Sequence, residues 1–434
     1  MTWSERDKKV LWHPFTSMKE WTEGAPLVVA RAEGNYLIDD GGKRYFDGVS
    51  SLWVTVHGHG HPRIVDAIQR QAAELDHSTL LGLAHPRAIE LAERLVAIAP
   101  PGLTRVFYSD SGSTAVEIAL KQAFQYWAHR GRPEKRRFLH LEEAYHGDTL
   151  GAVGVGGIQL FHRIFGPLIV QGVAVPSPAP GPAESNEQAL ERALRRLDQV
   201  LAEQGDELAA FVIEPLVQGA AGMLVHAPGY LAAAAERCRR AGVLLIADEV
   251  ATGFGRTGTM FACEQEGVRP DLMCVAKGLT GGTLPLAATL ATEEVFEAFL
   301  APRVEGKTFF HGHTYTGNPI ACAAALATLD IFQEEATLTH VGKVSRWMAE
   351  ELEGLGSLRQ VSATRQKGVM AGIELGGFAP EQFMGSRVSE QARAHGVILR
   401  PLGDVIVWMP PLSTSEHEIR LLGTATRRAI EECT

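Results

Sequence analysis

The sequence predicts an α/β protein: a mostly parallel central sheet flanked by helices, with a smaller α+β domain toward the C-terminal end. Three observations predict it. Between about residues 104 and 300, short apolar runs alternate with helical stretches, as in strands joined by crossover helices. Most of these runs are continuously apolar, as strands covered on both faces should be. Near residue 330 the alternation gives way to a long helical stretch and a few short strands.

Residues 1–60 read as irregular, with turn signals at Gly34, Gly41 and Gly42. After His61-Pro62 the pattern turns helical, and Pro62 suits a first helical position. The apolar runs are TRVFYS (104–109), RFLHL (137–141), AAFVIE (209–214), VLLIADE (243–249), LMCVA (272–276) and LAATLA (286–291). Helical patterns at 114–129 and 186–204 lie between them, and PSPAPGP (176–182) is a surface loop by composition. A helix over about 319–354 leads into short strands near 369–375 and 404–409. These readings place an N-terminal segment at 1–60, a large domain at 61–330 and a small C-terminal domain at 331–434.

Composition bounds the function. The 434 residues are 45% hydrophobic and 21% charged, enough for a large core. The 45 glycines are the outlier: roughly 10%, against about 7% on average. They imply tight turns, or backbone close to a ligand. A net charge of −10 argues against nucleic acid or an anionic membrane as the partner. The basic cluster Arg130–Arg137 contains Gly131 and Pro133 and reads as a solvated loop. The cysteines, at 238, 263, 274, 322 and 433, are odd in number and lack metal-site spacing, which fits a reducing compartment. No apolar run approaches the ~18 residues of a membrane span, and the charged N-terminus does not read as a signal peptide. A soluble cytoplasmic protein is expected.

Three motifs mislead. GFGRTG (253–258) matches the dinucleotide fingerprint, but its glycines do not open a helix directly after the strand, and position 278, about 20 residues on, is Gly rather than an acid. A dinucleotide-dependent oxidoreductase is therefore a distant alternative. EGKTFF (305–310) has the GKT of a phosphate loop, but Ala301 stands where the first glycine is needed. His57, His59 and His61 alternate in HGHGH with no acid or cysteine nearby, so a loop is expected rather than a metal site.

Three other pieces fall at predicted strand ends, where open α/β sheets bind ligands. Ser111, Gly112 and Ser113 stand at a strand-to-helix turn, and Thr114 with Glu117 has capping-box spacing. Free amides, hydroxyls and the positive helix end there would suit a phosphate, or only a helix cap. Asp248 closes the strand VLLIADE, where it needs a positive partner: a protonated cofactor ring nitrogen, Arg256 or another base. Lys277 follows LMCVA, where burial would lower its pKa and suit it to a Schiff base, or where it snorkels out. Together the three describe a pyridoxal-phosphate site.

The elements YHGDT (145–149), IEPLVQGAAG (213–222), LLIADEVATGFGRTG (244–258), AKGLTGG (276–282) and HTYTGNP (313–319) carry a resemblance over nearly the whole chain. The sequence resembles the class III aminotransferases of fold type I. LWHPFTSM (11–18), DGVSSLWVTVHGHGHP (47–62), YSDSGS (108–113) and RPLGDVIVWMPP (400–411) are similar to the family's biotin-pathway branch.

The resemblance implies that Lys277 binds pyridoxal 5'-phosphate covalently and that Asp248 pairs with its ring nitrogen. Tyr145 would stack on the ring and border the substrate. Ser111, Gly112 and Ser113 would hold the phosphate, with His313 and Thr314 reaching the phosphate of a neighbouring subunit in a homodimer. Glu214 and Val250 would line the cofactor. Arg400 would bind a substrate carboxylate, while Phe15, Leu52, Trp53 and Gly312 would line the substrate channel. Residues 1–60 would thus serve both the small domain and the active site.

The implied acceptor is 8-amino-7-oxononanoate, aminated to 7,8-diaminononanoate. The implied donor is S-adenosylmethionine or, in one branch, lysine. Phe15 stands where many members have Tyr, and Leu52-Trp53 where they have a Trp pair. Losing a hydroxyl and an aromatic plate removes contacts to a large cationic donor, which tilts the reading toward lysine. Another ω-aminotransferase, acting on a different amine, is the alternative within the class.

Overall fold

The structure is a computed structural model and describes residues 1–433. The N-terminal segment is not irregular. Helices Trp3–Val10 and Met18–Glu23 precede three antiparallel strands, β1 (Val29–Glu33), β2 (Tyr36–Asp39) and β3 (Arg44–Asp47). β1 is exposed along its length and the strands are only four or five residues long, so no periodic apolar signal marks them.

The central sheet uses seven strands. They are β4 (Leu103–Ser109), β5 (Arg137–Leu141), β6 (Val173–Val175), β7 (Leu208–Ile213), β10 (Leu244–Asp248), β11 (Leu272–Val275) and β12 (Ala287–Thr292). The short hairpin of β8 (Val217–Gln218) and β9 (Leu224–Val225) stands apart from it. The spatial order is β4-β12-β11-β10-β7-β5-β6. Four pairings are parallel, and β12 alone runs antiparallel to both neighbours. β7, β10 and β11 are buried throughout, which explains their continuous apolar runs.

Helices cover both faces. Gly112–His129 buries its alanine-rich face against β11 and β12, and Pro86–Ile98 packs on β4. The expected single helix over 319–354 is two: Pro319–Glu334 and Thr337–Gly356. They break at Ala336, whose left-handed backbone (φ 49°) no long helix accommodates. The basic cluster is not wholly solvated either. Lys135 is buried, and its Nζ donates to the carbonyls of Gly205 and Leu208.

The C-terminal region adds β13 (Val361–Lys367), β14 (Met370–Leu375), β15 (Val397–Ile398), β16 (Arg400–Leu402) and β17 (Val405–Trp408). Four of them form a sheet ordered β13-β14-β17-β16, packed by helices Thr337–Gly356 and Met384–Ala392, with Trp408 of β17 donating to Thr426 of helix Glu416–Cys433. β15 instead joins β3 in parallel, so the two ends of the chain share a sheet. No helix is long and apolar enough to cross a membrane among the described residues.

Candidate active site

The carboxyl ends of β4, β5, β7, β10 and β11 and the start of β12 meet at one rim of the central sheet. A cavity of about 710 Å³ opens there, closed on its other side by the N-terminal segment and by β16. Ser111, Gly112, Ser113, Tyr145, Glu214, Asp248, Val250 and Lys277 line it from the rim. Phe15, Leu52, Trp53 and Arg400 line it from the opposite side.

Lys277 follows β11 after one residue, Ala276, and has a left-handed backbone, φ 44°. Its Nζ lies 5.1 Å from the Trp53 ring centroid. Burial lowers its pKa, against the opposing fields of Asp248 and Glu214. A lysine with a lowered pKa carries more of the neutral, nucleophilic amine.

Asp248 does not pair with Arg256. Its Oδ2 meets Nδ1 of His146 at 2.7 Å, and its Oδ1 accepts from the Val250 amide at 3.1 Å. Burial acts to lower the His146 pKa, but the bond and field of Asp248, helped by Glu214, outweigh it and the net shift is upward. Arg256 is buried elsewhere, donating to the carbonyls of Pro410 and Thr55. The GFGRTG loop is therefore a structural junction between the chain's two ends.

Glu214 accepts from the Tyr145 amide at 3.1 Å and the Gly219 amide at 2.9 Å. Burial pushes its carboxyl up to about 7, against the pull of His146. A carboxyl raised on folding stabilises the protonated fold; the contribution is complete below the ordinary Glu value and lost as pH rises through about 7. Glu214→Gln mimics the protonated form. Its stability relative to wild type should therefore grow between pH 5 and pH 8, by up to about 3 kcal/mol. Thermal melts of the cofactor-free protein check this, and a pH-independent difference would refute it.

Ser111 caps helix Gly112–His129, but the box closes with Thr114, not between Thr114 and Glu117. The Ser111 Oγ accepts from the Thr114 amide, and Thr114 Oγ1 accepts from the Ser111 amide. Glu117 instead accepts from the amides of Gly151 and Ala152, the start of another short helix. First-turn amides at Gly112 and Ser113 have no acceptor within their own helix. The Ser113 hydroxyl meets Thr149 Oγ1 at 2.7 Å and also accepts from the Thr149 amide.

Two glycines shape this turn. A Cβ on Gly112 would lie 2.5 Å from Val250 Cγ1, and one on Gly147 (φ 117°) would lie 2.4 Å from the Ser113 side chain. Val250 is β-branched and cannot swing aside freely. Gly112→Ala should push Val250 into the cavity and weaken pyridoxal-phosphate binding about tenfold, the effect of about 1–3 kcal/mol of overpacking. Titration of the cofactor by absorbance checks it; unchanged affinity would show the cradle to be looser than its geometry.

Arg400 opens β16 and is half-buried. Burial lowers its pKa, opposed by Tyr145 and by no acid. Tyr145 donates its hydroxyl to Asp148 at 2.8 Å, and burial raises its pKa. Phe15 packs edge-on against Phe161, 5.3 Å between centroids.

Three expected site residues are not brought to this cavity. Gly312 and Thr314 are exposed, and His313 is half-buried with its Nε2 unpartnered. The HGHGH histidines turn to separate partners: His57 to the Thr328 carbonyl, His59 to Asp47 and His61 to Glu335. Sequence reasoning missed His146, Asp148, Thr149 and Phe161. The first three lie in YHGDT, where a histidine and an acid beside Tyr145 were the available signal; nothing marked Phe161.

The aminotransferase class-III family model matches residues 17–430. The chain belongs to the class III aminotransferases. It is 49% identical to the adenosylmethionine-8-amino-7-oxononanoate aminotransferase of Geobacter sulfurreducens, with 99% of this chain and 97% of the relative covered. It is 53% identical to the enzyme of the same name from Nitratidesulfovibrio vulgaris, covering 98% of this chain and 80% of the relative. Its fold superposes on the crystal structure of the Methanocaldococcus jannaschii enzyme of that name with a TM-score of 0.95, at 42% identity and 99% and 98% coverage.

The cofactor of this aminotransferase is pyridoxal 5'-phosphate, and the residues present fit it. Gly112 and Gly147 let the turn pack closely on Val250 and Ser113, where any Cβ would collide, and this leaves the first-turn amides free to bind a phosphate. Asp248 offers a carboxylate, Lys277 an amine and Tyr145 an aromatic face, all on one cavity.

Proposed function

We propose that this aminotransferase converts 8-amino-7-oxononanoate to 7,8-diaminononanoate, the biotin-pathway reaction, as a cytoplasmic homodimer. The observation that carries the reading is Arg400. It is a half-buried guanidinium with no acidic partner among the described residues, set in a cavity that the apolar side chains of Phe15, Leu52, Trp53 and Phe161 also line. An apolar chain ending in a carboxylate suits such a cavity, because Arg pairs with carboxylates bidentately. The names of the relatives support the same acceptor.

Lys277, Asp248, Tyr145, Val250, Gly112 and Ser113 would hold the cofactor. Pyridoxal phosphate, when bound, supplies an aldehyde and a ring that accepts electrons from the reacting carbon. Lys277 Nζ would take the proton from the substrate carbon and return it, as base and then acid. Asp248 would offer its carboxylate to the ring nitrogen, and His146 fixes that carboxylate. Tyr145 would cover the ring, and it is oriented through Glu214 and Asp148.

The relatives' name supports S-adenosylmethionine as donor. Phe15 and Leu52, both on the cavity wall, support lysine, since neither offers a polar contact to a large cation. Strongly exposed apolar side chains, among them Leu160, Ile164, Leu168, Val170 and Phe310, support a homodimer that would carry His313 and Thr314 to a neighbour's site. The free cysteines support a reducing compartment. The test is to mix the loaded enzyme with lysine or with S-adenosylmethionine and follow loss of its near-visible absorbance. Diaminononanoate is then assayed after adding the acceptor. Absence of product with either donor would favour another ω-aminotransferase substrate.

A further inference from the structure

The segment that carries Leu52 and Trp53 into the cavity is bent in an unusual way. Ser50 (φ 49°), Ser51 (φ 60°) and Trp53 (φ 66°) all adopt left-handed backbone without being glycine. Ser51, at φ 60° and ψ −77°, lies near the γ-turn geometry that is rare and strained. Such conformations persist only where the surroundings over-determine them. Ser51 is exposed, so packing of its own side chain does not hold the bend.

Asp47 holds it. This carboxylate is fully buried at the end of β3. Oδ1 accepts from the Ser51 amide at 2.8 Å, and Oδ2 accepts from the Ser51 hydroxyl at 3.1 Å and meets His59 Nε2 at 2.9 Å. Its field also supports the buried charge of Arg256, which donates to the Thr55 carbonyl just beyond the bend. The far side is tied by Ser50 Oγ donating to the Met409 carbonyl at 2.8 Å.

The bend has two consequences at the cavity. It lays the Trp53 ring beside Lys277 Nζ and so close to Gly219 that a Cβ there would be 3.3 Å from the ring. It also couples the Trp53 wall to Arg400, because Asp47 is in register with Ile398 of β15, two residues before Arg400. We propose that Asp47, acting through Ser51, is a positioning residue for substrate specificity: it maintains the strained bend that sets the Leu52–Trp53 wall relative to Arg400. The choice of assay substrate rests on the acceptor proposed above; the anchor itself does not.

The test uses the holoenzyme with Asp47→Asn, Ser51→Gly, the double variant and Ser51→Val. Asp47→Asn should raise KM for 8-amino-7-oxononanoate about tenfold while kcat stays within about threefold, the signature of lost ground-state positioning. Adding Ser51→Gly, which relieves the strain, should return KM to within about threefold of wild type. Ser51→Val should raise KM about as much as Asp47→Asn, because a β-branched residue resists positive φ. A role confined to fold stability predicts no rescue by glycine and no KM effect of valine at an exposed site. Either result overturns the proposal. If Asp47→Asn does not fold, Ser51→Val and Ser51→Gly carry the test. Hydrogen exchange over residues 48–56 needs no substrate. Faster exchange there in Asp47→Asn and Ser51→Val upholds the anchor even if wild type rejects the acceptor, and unchanged exchange overturns it.

Discussion

Replacing Lys277 with alanine is expected to abolish transamination, with turnover falling by at least about 10⁴-fold. That is the upper range for loss of a general acid–base, and here the covalent attachment is lost as well. The protein should still fold, because Lys277 makes its contact through the Trp53 ring rather than through a network that others depend on. It should also still bind pyridoxal phosphate, through the Gly112–Ser113 turn and Asp248. The distinguishing readout is borohydride reduction. Wild type should be left with a reduced covalent adduct at Lys277, visible by mass spectrometry, and the alanine variant with none. A variant that keeps the adduct would mean that another lysine carries the cofactor. A wild type that takes up no pyridoxal phosphate would refute the whole site. Alanine also removes the covalent link at Lys277, so the variant's cofactor should dissociate more readily.

The sequence showed the chemistry of this site more clearly than its supports. Buried parallel strands leave continuous apolar runs, so β7, β10 and β11 were legible, and so were Glu214, Asp248 and Lys277 just after them or at their ends. Short, half-exposed strands leave no such trace, so β1, β2 and β3 read as loop although β3 carries Asp47. The same limit hid His146. Its importance lies in a 2.7 Å contact with Asp248, 102 positions away, which no local pattern encodes. The spacing of Thr114 and Glu117 predicts a capping box one turn beyond the real one at Ser111 and Thr114. Spacing does not reveal that Glu117 is drawn off to the amides of Gly151 and Ala152. Gly312, expected along the substrate channel, lies away from this chain's cavity; His313 and Thr314 lie away from it too, and only the proposed homodimer would carry them to a neighbour's site.

Arg400→Ala is expected to lower kcat/KM for the keto-acid acceptor by about 10²-fold, mostly through KM. Losing one partner of a desolvated, hydrogen-bonded charge pair costs about 2–5 kcal/mol. Because Arg400 is only half-buried, the lower part of that range applies. The effect on the donor should be smaller, which separates a carboxylate-binding role from general damage to the cavity. Arg400→Lys should restore part of the loss: the charge returns, but the planar pair of donors that matches a carboxylate does not. The argument is electrostatic at root. Burial already works against the guanidinium charge, and only Tyr145 opposes it. A bound carboxylate would supply the missing counter-charge, so the site keeps Arg400 unpaired at a cost that substrate binding relieves. If donor and acceptor KM rose equally, Arg400 would be supporting the cavity wall. If neither changed, the carboxylate would have to bind elsewhere, and the case for an ω-carboxylate acceptor would fall with it.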